Sequence, residues 1–168
     1  PAFKPTEGWK ADAVQMRLRT SDQTTWLTTW YFAPKRQPVL LQDVWKDPLN
    51  CRGGQDSRLF VAPEGGTALG DGAELAYLKN ADGKGFSQEL RIPWRLLFKA
   101  APEVRAELVF KLGFEFLWGD PTGNTWPVHR YADNLQKGQT SREFFWSAVK
   151  SWGDARLLAK GGVAERRY

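Results

Sequence analysis

The sequence predicts an all-β chain, an antiparallel β-sandwich with long loops and one or two short helical turns, and three observations carry that prediction. Several stretches alternate apolar and polar side chains with period two, the pattern of strands whose two faces meet different surroundings. Gly, Pro, Asp and Asn fall between these stretches at turn positions. No strand-like stretch is followed by a long amphipathic helical pattern, so the crossover helices that parallel sheets require are missing from the pattern. About eight to ten strands follow from this reading.

The clearest strand is residues 86–92, where Phe86, Leu90 and Ile92 share one phase and Ser87, Glu89 and Arg91 the other. Asp82-Gly83 supplies the turn before it, and Pro93 stops it. Proline at a first helical position loses no needed donor, so residues 94–99 read as a short helical turn closing one end of the sheet. Earlier in the chain, residues 1–8 read as a leading arm. Residues 12–19 then alternate Val14, Met16 and Leu18 against Ala13, Gln15, Arg17 and Arg19, which predicts a strand with one wet face. Residues 24–33 (TTWLTTWYFA) are β-branched and aromatic on both phases and read as a central strand, hairpinned to the first. Residues 39–45 and 57–62 read as two further strands, with 46–56 and 63–72 as loops; 73–80 fits strand and helical spacing equally. Residues 108–118 carry Leu108, Phe110, Leu112, Phe114, Phe116 and Trp118 in one phase, which predicts the core strand. After the turn region 119–125 and a polar stretch 127–138, strand character returns at 141–149 and 155–159, and Gly161-Gly162 releases a tail over 161–168.

With 168 residues the chain is the size of one domain, 1–168, able to bury a core without disulfides or a structural metal. The net charge of +5 is spread, because Lys and Arg interleave with Asp and Glu and only the tail Glu165-Arg166-Arg167-Tyr168 is locally basic. Nucleic-acid binding needs its cations on one stripe, so the charge pattern argues against it. No apolar run reaches the roughly 18 residues of a membrane-spanning helix. The single Cys51 cannot form an internal disulfide and reads as a structural thiol. A chain beginning at Pro1 suggests processing or a piece of a longer protein.

Enzyme motifs are missing from the sequence. It has no nucleophile elbow, no glycine-rich phosphate loop and no zinc-protease signature, and one His and one Cys leave few nucleophile and base combinations. Carboxylate pairs such as Asp120 and Asp133 arise by chance among 19 acids. A non-catalytic role is therefore expected. Met16 and His129 each occur once, and a thioether with an imidazole is an axial pair known for haem iron. The plainer readings are that Met16 fills core and that His129 is hydrogen-bonded in a polar loop. Nine Trp residues suggest a second use, because indole faces stack on sugar rings. Trp45, Trp126 and Trp152, set beside Gly, Pro or Asp, are the candidates for exposure. Asp71, Asp82, Asp120 and Asp133 are candidate Ca2+ ligands, although Asp in turns more often caps the turn.

The stretches GWKADAVQMRLRT, TTWLTTWYFAP, DGKGFSQELRIPW and WGDARLL resemble the DOMON-type sandwich superfamily. That superfamily includes family 9 carbohydrate-binding modules, the cytochrome domain of cellobiose dehydrogenase and the haem-binding γ subunit of ethylbenzene dehydrogenase. The likeness spans residues 8–158 and is nearest to the ethylbenzene dehydrogenase type. It implies an immunoglobulin-like sandwich exported to the periplasm, with no catalysis of its own, binding haem b in an electron-transfer setting with a redox partner or larger complex. Haem binders of this type use Met with Lys or Met with His. Their Met follows the first strand, in the region of Thr20 to Thr25, where this chain has none. The ligand set has then either moved to Met16 and His129, or the fold serves another purpose. A carbohydrate-binding module of family 9 type and a structural subunit docking onto a larger complex are the alternatives.

Overall fold

A single hydroxyl-bearing residue shapes the first hairpin. Thr20 Oγ1 accepts the Gln23 amide at 3.2 Å, and the Thr20 amide donates to the Gln23 carbonyl at 2.9 Å, so the chain reverses between β1 (Ala13–Arg19) and β2 (Thr24–Phe32). The computed structural model describes residues 5–100, 104–117, 149–160 and 162, and among them the chain is all-β. The further strands are β3 (Gln37–Asp47), β4 (Arg52–Val61), β5 (Ala68–Gly70), β6 (Ala73–Lys79), β7 (Phe86–Arg91), β8 (Val109–Leu117) and β9 (Gly153–Arg156). The helical content among the described residues is short 3-10 turns, including residues 94–96 directly after Pro93, as the sequence predicts. Residue groups 118–148 and 163–168 hold Trp118, the turn at 119–125, almost all of the strand expected at 141–149 and most of the tail; they lie outside the described residues.

Two antiparallel sheets form. The larger has the order β4-β3-β2-β1-β8-β9 and the smaller β5-β6-β7. In the larger sheet Met16 stands opposite Leu27 and Phe114, and Leu18 opposite Thr25 and Leu112, so these residues share one face. That face meets the smaller sheet. Leu18, Leu27, Leu40 and Phe60 from one side pack with Leu69, Ala73 and Leu75 from the other, and Leu97 and Phe98 plug the end after Pro93. The Gln42 side-chain amide donates to the Leu96 carbonyl, which fastens the plug to β3.

Three expectations are corrected and one that spacing left open is decided. The second face of β1 is not wet: Ala13, Gln15 and Arg17 are buried, because the far side of the large sheet is covered too. Residues 46–56 are not a loop. β3 and β4 run almost to the hairpin, which turns over residues 48–51, where Asp47 Oδ1 accepts the amides of Leu49 and Asn50 at 3.0 and 3.2 Å. Cys51 leaves that turn with a left-handed φ of 50°. Residues 73–80 resolve as strand β6, since pairing with β7 decides what spacing alone could not. The last strand, expected at 155–159, is β9 and spans Gly153–Arg156; beyond it Leu157 still donates its amide to the Leu108 carbonyl at 3.0 Å and accepts the Glu107 amide at 2.8 Å.

The arm expected over residues 1–8 is tied down where it is described. Residues 5–10 form a 3-10 turn that seats Gly8 on Trp30, and a β-carbon on Gly8 would run into the indole. Only glycine lets the backbone lie flat there.

Candidate functional site

The core strand expected at 108–118 behaves differently along its length. Leu108, Phe110 and Leu112 pack against the core between the sheets. Phe114 and Phe116 continue the same phase but are 47% and 49% exposed. Among the described residues the smaller sheet has three strands against six, and β7 lies at its edge, beside the ends of β1 and β8 that carry Val14 and Phe116.

A cleft of about 660 Å3 opens there. Val14, Phe114, Phe116 and Leu117 form its large-sheet wall, and Phe86 and Gln88 of β7 face them across the gap. Gly85, at φ 86°, brings the chain into β7 without a side chain at the mouth. Behind Phe86 runs an aromatic row, Phe86 to Tyr77 at 5.0 Å and Tyr77 to Tyr31 at 5.3 Å between ring centres. The sheets are joined beside the cleft by Thr29 Oγ1 and Gln88 Oε1, 3.0 Å apart. Burial pushes the Tyr77 hydroxyl's pKa far up, and neighbouring Thr29 offsets this only in part. Tyr77 therefore stays protonated throughout the neutral range.

The opposite face of the large sheet holds a buried polar group. Arg17, with no exposed surface, pairs with Glu115. Its Nε and one terminal nitrogen donate to Gln15 Oε1 at 2.8 and 2.7 Å, and Gln15 Nε2 donates to Thr28 at 2.8 Å. The guanidinium lies 4.6 Å from the ring centre of Trp26. Next along the sheet, burial raises the Asp43 carboxyl above its ordinary value, opposed by the Ser57 hydroxyl at 2.5 Å. Each buried charge is thus given partners, as the cost of desolvation demands.

The residues singled out in the sequence fall in separate places. Met16 is partly buried on the core-facing side of β1, one alternation beyond Val14 and opposite Phe114; it is next to the cleft wall but not among its lining residues. His129 and Trp126 lie outside the described residues. Trp152 is 2% exposed and packs with Trp26, Val149 and Cys51, with Trp45 partly buried against them, so Trp152 offers no indole face to a sugar. Trp26 and Trp45 meet edge to face at 4.8 Å. Burial pushes the Cys51 thiol up to about 11, against weaker opposition from Trp26 and Arg17, so it is protonated at neutral pH and a poor nucleophile. Asp71 pairs with Arg58, and Asp82 Oδ1 caps a turn by accepting the Lys84 amide at 2.8 Å. Asp120 and Asp133 lie outside the described residues, among which no three His, Cys, Asp or Glu side chains gather as metal ligands. No helix of the described residues is long and apolar enough to cross a membrane.

Sequence reasoning missed the cleft. Phe114 and Phe116 are visible as an apolar phase, but no sequence signal marks where along the strand that phase becomes exposed. A scan of family models, a search of curated proteins and a search of solved structures find no match to this chain.

Proposed function

We propose that the chain is a non-catalytic binding module whose inter-sheet cleft takes a flat, largely apolar ligand, with haem b the first candidate and an exported, electron-transfer setting as its context. The observation that carries this reading is the cleft itself: about 660 Å3, walled by Phe86, Phe114 and Phe116 and open to solvent. Its volume falls within the usual range of small-molecule sites, roughly 300–1,000 Å3, and its walls are aromatic as such sites commonly are. Leaving two neighbouring phenylalanines half exposed on one face of β8 costs solubility, and a ligand lying against them would remove that cost.

The lining is mainly apolar and aromatic, as the face of a porphyrin requires, with Asp12 and Gln88 as its polar members. Met16, beside the wall on the same face, is the chain's one thioether and the residue that would reach such a ligand from β1. Haem bound there would supply one-electron chemistry, while the chain would exclude water and hold the ring. Titration of the purified protein with haem is the test. A Soret band that saturates at one equivalent and weakens in Phe114→Ser supports the cleft, and its displacement in Met16→Leu supports the thioether. A protein that takes up no haem, while also giving no fluorescence change with flat apolar dyes, removes the reading altogether.

A further inference from the structure

The outer edge of β4 is open. It is the last strand of the large sheet, nine of its ten residues are exposed, and among the described residues no strand pairs with that edge. Its hydrogen-bonding phase follows from one contact. The Ala62 amide donates to the Pro38 carbonyl at 3.0 Å, and the register continues as Leu40 with Phe60, Gln42 with Arg58 and Val44 with Asp56. Antiparallel ladders alternate, so these even-numbered residues bond to β3, whereas Gln55, Ser57, Leu59 and Val61 turn their amides and carbonyls outward.

We propose that this edge pairs with the same edge of a second copy, antiparallel and centred on Ser57, to make a two-fold dimer with a continuous sheet. Charge selects the register. With Ser57 facing its own equivalent, Asp56 of each chain stands beside Arg58 of the other, in the closer, non-hydrogen-bonded type of pair, and this happens twice by symmetry. Moving the centre to residue 56 sets Asp56 against Asp56, and moving it to residue 58 sets Arg58 against Arg58. Both are repulsive. Gly53 and Gly54, at φ 75° and 88°, bend the strand out of the ladder, so pairing is confined to the stretch from Gln55 to Leu59. Arg58 already pairs with Asp71 and stacks 4.5 Å from the Phe60 ring centre, which holds it on the Asp56 side of the strand. A contact this short makes a weak, concentration-dependent dimer.

Sedimentation over a concentration series tests it. The wild type is expected to shift from monomer toward dimer, and Asp56→Arg and Arg58→Asp each to weaken the dimer by about tenfold or more through like-charge pairs. An equimolar mixture of the two variants is expected to dimerise again, because each then supplies the charge the other lacks. Hydrogen exchange on the unmodified chain gives an independent readout: at high concentration the Ser57 and Leu59 amides should slow while those of Asp56 and Arg58 stay as they were. A wild type that is monomeric at about 1 mM overturns the proposal. So does a dimer indifferent to both substitutions, or one whose Ser57 and Leu59 amides gain no protection, since either places the contact on another surface.

Discussion

Replacing Glu115 by alanine removes the carboxylate that pairs with the Arg17 guanidinium at a position with no exposed surface. Gln15 still accepts two of its hydrogen bonds and the Trp26 face still lies 4.6 Å away, but neither of these restores the charge that Glu115 supplied. Breaking one side of a fully buried pair costs about 3–5 kcal/mol. Against a typical total stability of roughly 5–15 kcal/mol, that is a large fraction. With a urea slope of about 2 kcal/mol/M, the unfolding midpoint should fall by about 2 M. The double replacement Arg17→Met with Glu115→Leu removes both charges together and should recover most of the loss, because the desolvation cost of each ion disappears with it. Urea unfolding followed by tryptophan fluorescence measures all of these. A Glu115→Ala loss under about 1 kcal/mol would refute the argument, since it is the size of loss expected for a solvated surface pair.

Three further outcomes follow from the same structure. Gly8→Ala should destabilise by about 1–3 kcal/mol and change the near-ultraviolet signal of tryptophan, because the added carbon displaces the Trp30 ring; an unchanged spectrum and midpoint would count against that packing. Asp43→Asn should raise the urea midpoint at neutral pH. The folded-state pKa of Asp43 is raised by burial, so the cost of its charge is complete above that raised pKa, shrinks as pH falls toward the unfolded pKa and is gone once both states are protonated; the gain should fade through that window, and a gain that persisted below about pH 3 would point to packing instead. Phe114→Ser should cost under about 1.5 kcal/mol, far less than a core phenylalanine, because nearly half of the ring is already in water; a loss as large as that of a buried Phe would mean the cleft is closed in solution.

Much of the fold could be read locally. The alternation over Phe86 to Arg91, the stop at Pro93 and the first hairpin all depend on neighbours within a few residues, and all appear as expected. What was hidden depends on partners far along the chain. Nothing near Arg17 announces that Glu115 will lie beside it, so a buried ion pair looked like a solvated face. The Gly-, Asp- and Asn-rich run after Trp45 looked like a loop because an edge strand exposed along nearly its whole length needs no apolar alternation. The cleft was the least legible feature, since Phe114 and Phe116 continue the phase of a core strand and nothing in that phase separates their exposure from the burial of a core phenylalanine.

The burial of both faces of β1 has a consequence for how the chain finds a single arrangement. If β1 slid by one residue against β2 and β8, Arg17 would be driven in among Leu27 and Leu40, while Met16 and Leu18 would be left against Gln15's old partners Thr28 and Glu115. Few misaligned states could survive that exchange, and so the guanidinium serves this sheet as a locating pin, whatever its net effect on the free energy of folding.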